Sequence, residues 1–159
     1  MINNPVAKAA LMSTALLFSA SASAIGQEGD SRIQANGSFI LANTGDDTIF
    51  ASIQLQTYAS DTLAYGFVYS ITESGGFSTV SLGGSAKAIF PSESEAVPYV
   101  GAQGLFLASD TFDELVFGVS AGADFYFAEN AGYNFDVTQG LTSDFYEDTT
   151  FSFGLFYEF

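Results

Sequence analysis

The chain has 159 residues, with three Lys+Arg against 18 Asp+Glu, no His, Cys or Trp, and an aromatic complement of 17 Phe and 8 Tyr. Without His or Cys there is no Ser-His-Asp triad, thiol nucleophile, imidazole-built zinc site, disulfide or iron–sulfur cluster, and a net charge of −15 argues against nucleic acid as a partner. The chain is nevertheless 48% hydrophobic and 16% aromatic; acidic disordered chains are poor in aromatics, so this one is expected to fold.

Residues 1–24 carry Lys8, then an apolar stretch Ala9–Leu17 with Phe18, then small residues at Ala22-Ser23-Ala24. This is the pattern of a secretory signal peptide. The apolar stretch is too short to span a bilayer, and Ser13, Ser19, Ser21 and Ser23 dilute it. Removing those 24 residues would leave 135, in which Arg32 and Lys87 are the only cations against 18 acids, a net charge of −16. Residues 25–159 are then read as one domain.

Beyond Ala24 no stretch keeps helical apolar spacing, whereas period-2 alternation recurs between turn-forming residues. Ile33, Ala35, Gly37, Phe39 and Leu41 oppose Gln34, Asn36 and Ser38. Ile49, Ala51, Ile53 and Leu55 oppose Phe50, Ser52, Gln54 and Gln56; Leu63, Tyr65, Phe67, Tyr69 and Ile71 oppose Ala64, Gly66, Val68, Ser70 and Thr72. Val80, Leu82, Gly84, Ala86 and Ala88 oppose Thr79, Ser81, Gly83, Ser85 and Lys87. Residues 97–108 form a strand of undecided facing: Val100, Ala102, Gly104 and Phe106 make one apolar row, but Tyr99, Leu105 and Leu107 lie opposite. The clearest strand runs from Leu115 to Phe127, with Phe117, Val119, Ala121, Ala123 and Phe125 on one face and Glu114, Gly118, Ser120, Gly122, Asp124 and Tyr126 on the other. Tyr133, Phe135, Val137 and Leu141 alternate with Asn134, Asp136, Thr138 and Gly140, Gln139 being the break; Phe151, Phe153, Leu155, Tyr157 and Phe159 oppose Ser152, Gly154, Phe156 and Glu158.

Seven turn-rich breaks, around 43–47, 59–61, 73–76, 91–95, 109–111, 129–132 and 143–148, separate these eight strands. Eight strands of about ten residues, the length that crosses a bilayer at a tilt, fit the chain with short connections. In a soluble sandwich or lipocalin-type barrel the wall opposite the apolar one meets water and is rich in charge. Here that wall is Gly, Ser, Ala, Thr, Gln and Asn with isolated acids, which suits the narrow lumen of an eight-stranded barrel, with Phe50, Tyr126 and Phe156 as its few large residues. Tyr58, Tyr133, Tyr146, Tyr157 and Phe159, near strand ends, match the aromatic girdles of a bilayer-spanning barrel. The expected fold is all-β: an eight-stranded antiparallel up-and-down transmembrane β-barrel.

The terminal segment Phe151-Ser152-Phe153-Gly154-Leu155-Phe156-Tyr157-Glu158-Phe159 resembles the final strand of bacterial outer-membrane β-barrels. Val97-Pro98-Tyr99-Val100-Gly101-Ala102 and Gly118–Phe127 are similar to penultimate strands of the small OmpA-like and OmpX-like barrels. The resemblance implies that Leu155, Tyr157 and Phe159 form the signal read by the barrel-assembly machinery, that the N-terminus starts in the periplasm, and that the outer connections are 43–48, 73–76, 109–113 and 142–150. These are short for a family that places adhesion or receptor binding on long outer loops. The outer-membrane barrel enzymes that deacylate lipid, cleave phospholipid or cut peptides depend on a His, which this chain lacks.

Glu114, Asp124, Asp136 and Glu158 fall on the expected lumen wall, where carboxylates are expected to hydrogen-bond and be balanced by Lys87. The acid pairs Asp46-Asp47, Asp113-Glu114 and Glu147-Asp148 lack calcium-loop spacing and are expected to be solvated. The expectation is a small, monomeric outer-membrane barrel with a structural or surface-interaction role, partnered by outer-membrane lipid, without catalysis, cofactor or metal. Two alternatives stand beside it: a narrow porin preferring cations through Asp124, Asp136 and Glu158, and a secreted soluble β-protein.

Overall fold

The computed structural model describes residues 26–40, 48–92, 95–108, 113–142 and 149–159, so the expected signal peptide and the turn segments 43–47 and 143–148 lie outside the described residues. Eight strands follow one another: β1 (Ser31–Ile40), β2 (Thr48–Ser60), β3 (Leu63–Ser74), β4 (Phe77–Ile89), β5 (Ala96–Ala108), β6 (Asp113–Ala128), β7 (Ala131–Gly140) and β8 (Thr149–Glu158). Each pairs antiparallel with its neighbours in sequence, and β8 returns to β1 through the register Arg32↔Glu158 to Gly37↔Phe153. Closure removes both sheet edges, the condition for strands to cross lipid without unpaired backbone.

Three of the connections are two-residue hairpins. Gly75 and Gly76 join Ser74 to its partner Phe77 with φ of 57° and 82°, the two left-handed residues that a type I′ turn requires. Asp61-Thr62 and Glu129-Asn130 join β2 to β3 and β6 to β7 at the opposite end. That end also carries the start of β1 and the residue after β8: the Ser31 N–H donates to the Phe159 carbonyl and the Phe159 N–H to the Ser31 carbonyl, each at 2.8 Å.

Side chains alternate across the barrel wall as the sequence pattern dictates. On β3, Leu63, Tyr65, Phe67, Tyr69 and Ile71 point outward, with Phe67 70% exposed, while Ala64, Val68 and Ser70 are buried inside. β5, undecided from sequence, places Val100, Ala102 and Phe106 outward and Val97, Tyr99, Leu105 and Leu107 inward. Its apolar inner row is what blurred the pattern. Among the described residues 24 large apolar or aromatic side chains are exposed, while the buried set includes Arg32, Lys87, Asp124, Asp136 and Glu158. Leaving one such side chain in water forgoes about 1.5–3 kcal/mol relative to burying it, so a belt of this size suits a hydrocarbon solvent and not water.

The core lies within the barrel. Tyr58, Ala64, Ile89, Val97 and Tyr99, with Tyr126 packed against them, form one cluster towards the end where β1 starts and β8 finishes. Val68, Leu105, Leu107 and Val116 form a second, farther along one side. Tyr58 therefore departs from its expected girdle position. It is 2% exposed and inward, because it continues the row of Ser52, Gln54 and Gln56 on the lumen face of β2. Tyr133 and Tyr157 face outward, and Tyr146 lies outside the described residues. Two inner rings lie over glycines of the neighbouring strand: Tyr99 over its register partner Gly122, where a Cβ would fall 2.7 Å from the ring, and Phe156 over its partner Gly132. Glycine there lets a large ring lie flat in a narrow barrel.

Candidate functional site

The polar lumen is built from alternate residues of six strands. On β1 the inward row is Arg32, Gln34 and Asn36, each two residues from the next and all buried. β6 brings Asp124 to face it across the barrel, β4 brings Lys87, β2 brings Tyr58, β7 brings Asn134 and Asp136, and β8 brings Glu158.

Asp124 is the hub. Its two oxygens take the Arg32 guanidinium as a fork, Nη1 to Oδ2 at 2.6 Å and Nη2 to Oδ1 at 2.9 Å, and Oδ2 also accepts from Lys87 Nζ at 2.8 Å. A planar bidentate pair of this kind is the strongest ion-pair geometry available to a carboxylate. Arg32 Nη2 donates further to Gln34 Oε1 at 2.6 Å, and Gln34 Nε2 to Asn36 Oδ1 at 2.9 Å, extending the network along β1. The guanidinium also lies 3.7 Å over the Phe156 ring, and Lys87 Nζ lies 3.6 Å over that of Tyr99, so both cations are capped by π faces. Glu158, the register partner of Arg32, accepts from the Tyr58 hydroxyl at 2.5 Å and the Tyr126 hydroxyl at 2.9 Å, with Arg32 Nη1 at 3.7 Å.

Asp136 sits apart from this hub. Its partners are neutral: Asn134 Nδ2 at 3.1 Å and the Tyr99 hydroxyl at 3.4 Å on Oδ2, and the Thr138 hydroxyl at 3.3 Å on Oδ1. Beside it is a partly open cavity of about 40 Å³ whose walls include Gln34, Gln54, Ser85, Lys87, Tyr99, Ser120, Asp136 and Thr138. Beyond it, buried Ser70 and Ser81 hydroxyls hydrogen-bond to each other between β3 and β4. Arg32 at 0% and Asp124 at 2% exposure fill the lumen at their level, as the narrow interior of an eight-stranded barrel allows.

Lys87, Asp124, Asp136 and Glu158 thus face inward and are buried, and the structure brings the first two together with Arg32. Glu114 stands half-buried on the inner face of β6, away from them. Leu155, Tyr157 and Phe159 face outward on the closing strand. Arg32 is the residue that sequence reasoning missed. Its signal was present, since it continues the Gln34 and Asn36 row by two residues, but it sits where the alternation begins. Among the described residues no cluster of three or more Asp and Glu side chains could hold a metal ion; Asp124 and Glu158 are engaged in ion pairs, and Asp136 only in hydrogen bonds from neutral donors.

Comparison with solved structures now decides the fold. The N-terminal β-barrel domain of Pseudomonas aeruginosa OprF superposes with a TM-score of 0.67 at 17% identity, over 84% of this chain and 100% of that one. The fold is that of the eight-stranded transmembrane barrels. The Yersinia pestis outer-membrane protein Ail, solved in a phospholipid bilayer nanodisc, superposes with a TM-score of 0.57 at 14% identity over 83% of this chain and 100% of that one. A de novo designed transmembrane β-barrel gives 0.64 at 15%, over 84% and 98%. That a designed barrel matches as well as natural ones shows that the likeness is one of architecture. No family model matches the chain, and no curated protein matches it by sequence.

Proposed function

We propose that residues 25–159 form an integral outer-membrane barrel, exported by a signal peptide at 1–24, with a structural or surface-interaction role and no catalysis. The single observation that carries this reading is the inverted distribution of side chains: an apolar, aromatic belt outside and hydrogen-bonded charge inside. The likeness to OprF and Ail supports the outer membrane as the location. The absence of His and Cys from the chain supports a role other than catalysis. In this reading both chain ends face the periplasm, and Leu155, Tyr157 and Phe159 serve as the strand end recognised during assembly. The opposite rim, with its two-residue Gly75-Gly76 hairpin, faces outward and presents little loop to a receptor, which favours a structural role or contact with neighbouring membrane components.

A second reading, a narrow cation-preferring pore, is favoured by three buried carboxylates against two buried cations among the described residues. The filling of the lumen at the level of Arg32 and Asp124 speaks against it. The belt speaks against a secreted soluble protein, which would have to leave it in water. Fractionation of expressing cells tests the location: the mature chain is expected in the outer membrane and extracted only by detergent. Recovery from culture medium without detergent would overturn the proposal. Planar-bilayer recording decides the pore. No unitary steps are expected, and cation-selective steps abolished by Asp124→Asn with Asp136→Asn would establish the second reading.

A further inference from the structure

Among the described residues the buried charges do not balance. Arg32 and Lys87 are the only cations after residue 24, and their ion pairs go to Asp124 and Glu158. Asp136 makes none, although its Oδ2 and Oδ1 sit among three neutral donors inside the wall. A carboxylate buried without a cation is strongly unfavourable. The cavity of about 40 Å³ that Asp136 borders has, among its lining residues, Gln34, Gln54, Ser85, Ser120 and Thr138, each of which carries a side-chain oxygen. The Ser85 hydroxyl is buried there with no hydrogen-bond partner. Lys87 also borders the cavity, but its ammonium is held on Asp124 and over the Tyr99 ring.

We infer that this cavity is a lumen site for one small monovalent cation, of sodium or potassium size, held by Asp136 with the Ser85, Ser120 and Thr138 hydroxyls and a neighbouring amide carbonyl. One unpaired carboxylate matches one positive charge. A divalent ion of the calcium class takes several carboxylates, which the cavity does not offer. The volume suits an ion with one or two waters and no larger solute. The ion neutralises the remaining lumen charge and ties β4, β6 and β7 together through the centre of the barrel. It is a structural ion, and the inference stands on the lumen's residues whichever role the barrel has in the membrane.

The test is the unfolding midpoint of the full mature barrel in detergent, measured in sodium, potassium and choline chlorides at equal ionic strength. Site binding raises the midpoint in the small-ion salt by a few degrees over choline, with saturation as the salt is raised. Asp136→Asn abolishes the difference. Ser85→Ala, which removes an oxygen that makes no hydrogen bond, shifts saturation several-fold to higher salt. Crystals soaked in rubidium chloride show an anomalous peak in the cavity, a readout independent of either variant folding. Equal midpoints in all three salts with no rubidium peak mean that the cavity holds only water, and overturn the inference. So does an infrared carboxylic-acid band lost in Asp136→Asn, which would show that Asp136 is neutralised by a proton instead.

Discussion

Asp124 carries more of the interior than any other residue, since it pairs with both of the lumen's cations at once. Replacing it by Asn leaves Lys87 buried without a countercharge and Arg32 with only Glu158, at 3.7 Å, and removing one partner from a buried pair costs about 3–5 kcal/mol. Urea titration of the folded band on unheated gels is expected to show that loss. A change under about 1 kcal/mol would mean that Arg32 and Lys87 find water instead, as exposed pairs do. Tyr58→Phe is a milder test, because it deletes a hydroxyl donated to Glu158 while Tyr126 keeps its own. A hydrogen bond to a charged group is worth about 1.5–3 kcal/mol, and the lower half of that range is expected here. The same titration checks it.

The strands themselves were largely legible. Alternation gave eight of them, because period-2 patterning with lipid on one side and a filled lumen on the other leaves each face chemically distinct. It failed where a face was mixed. β5 carries an apolar inner row, Val97, Tyr99, Leu105 and Leu107, because the lumen needs filling as well as hydrogen bonding, so both of its faces read as apolar. Tyr58 was misplaced because girdle and lumen aromatics both occur near strand ends, and only register separates them. The polar cluster was half legible: Lys87, Asp124, Asp136 and Glu158 could be put on one wall, but which acid meets which cation is set by cross-barrel geometry that no single strand contains. Two tests belong to this scale. Gly76→Val forces a β-branched residue to the left-handed φ of 82° and is expected to cost about 1–2 kcal/mol, measured as a lower unfolding midpoint. Deleting Phe159 is expected to lower the amount of folded barrel in the outer membrane while export continues, read by comparing folded and total protein in membrane and periplasmic fractions. Undiminished folded protein would remove Phe159 from the assembly signal.

The whole molecule separates its two compositional extremes in space. Both cations beyond residue 24 are inside, so no Lys or Arg side chain beyond that residue faces out against the acids. An acidic rim approaching anionic lipid is repelled over a Debye length of about 10 Å at 0.1 M salt. Insertion into anionic vesicles is therefore expected to be slower than into zwitterionic ones, and to recover with added salt or divalent cations. Equal rates at low salt would contradict that. The central claim, a closed barrel that takes lipid as its outer solvent, is tested most directly by folding residues 25–159 into phospholipid vesicles and running heated and unheated samples on the same detergent gel. A compact, faster band without heating, retained by the vesicles after an alkaline wash, is the expected result; identical migration of both samples, with the protein left in the aqueous phase, would contradict it.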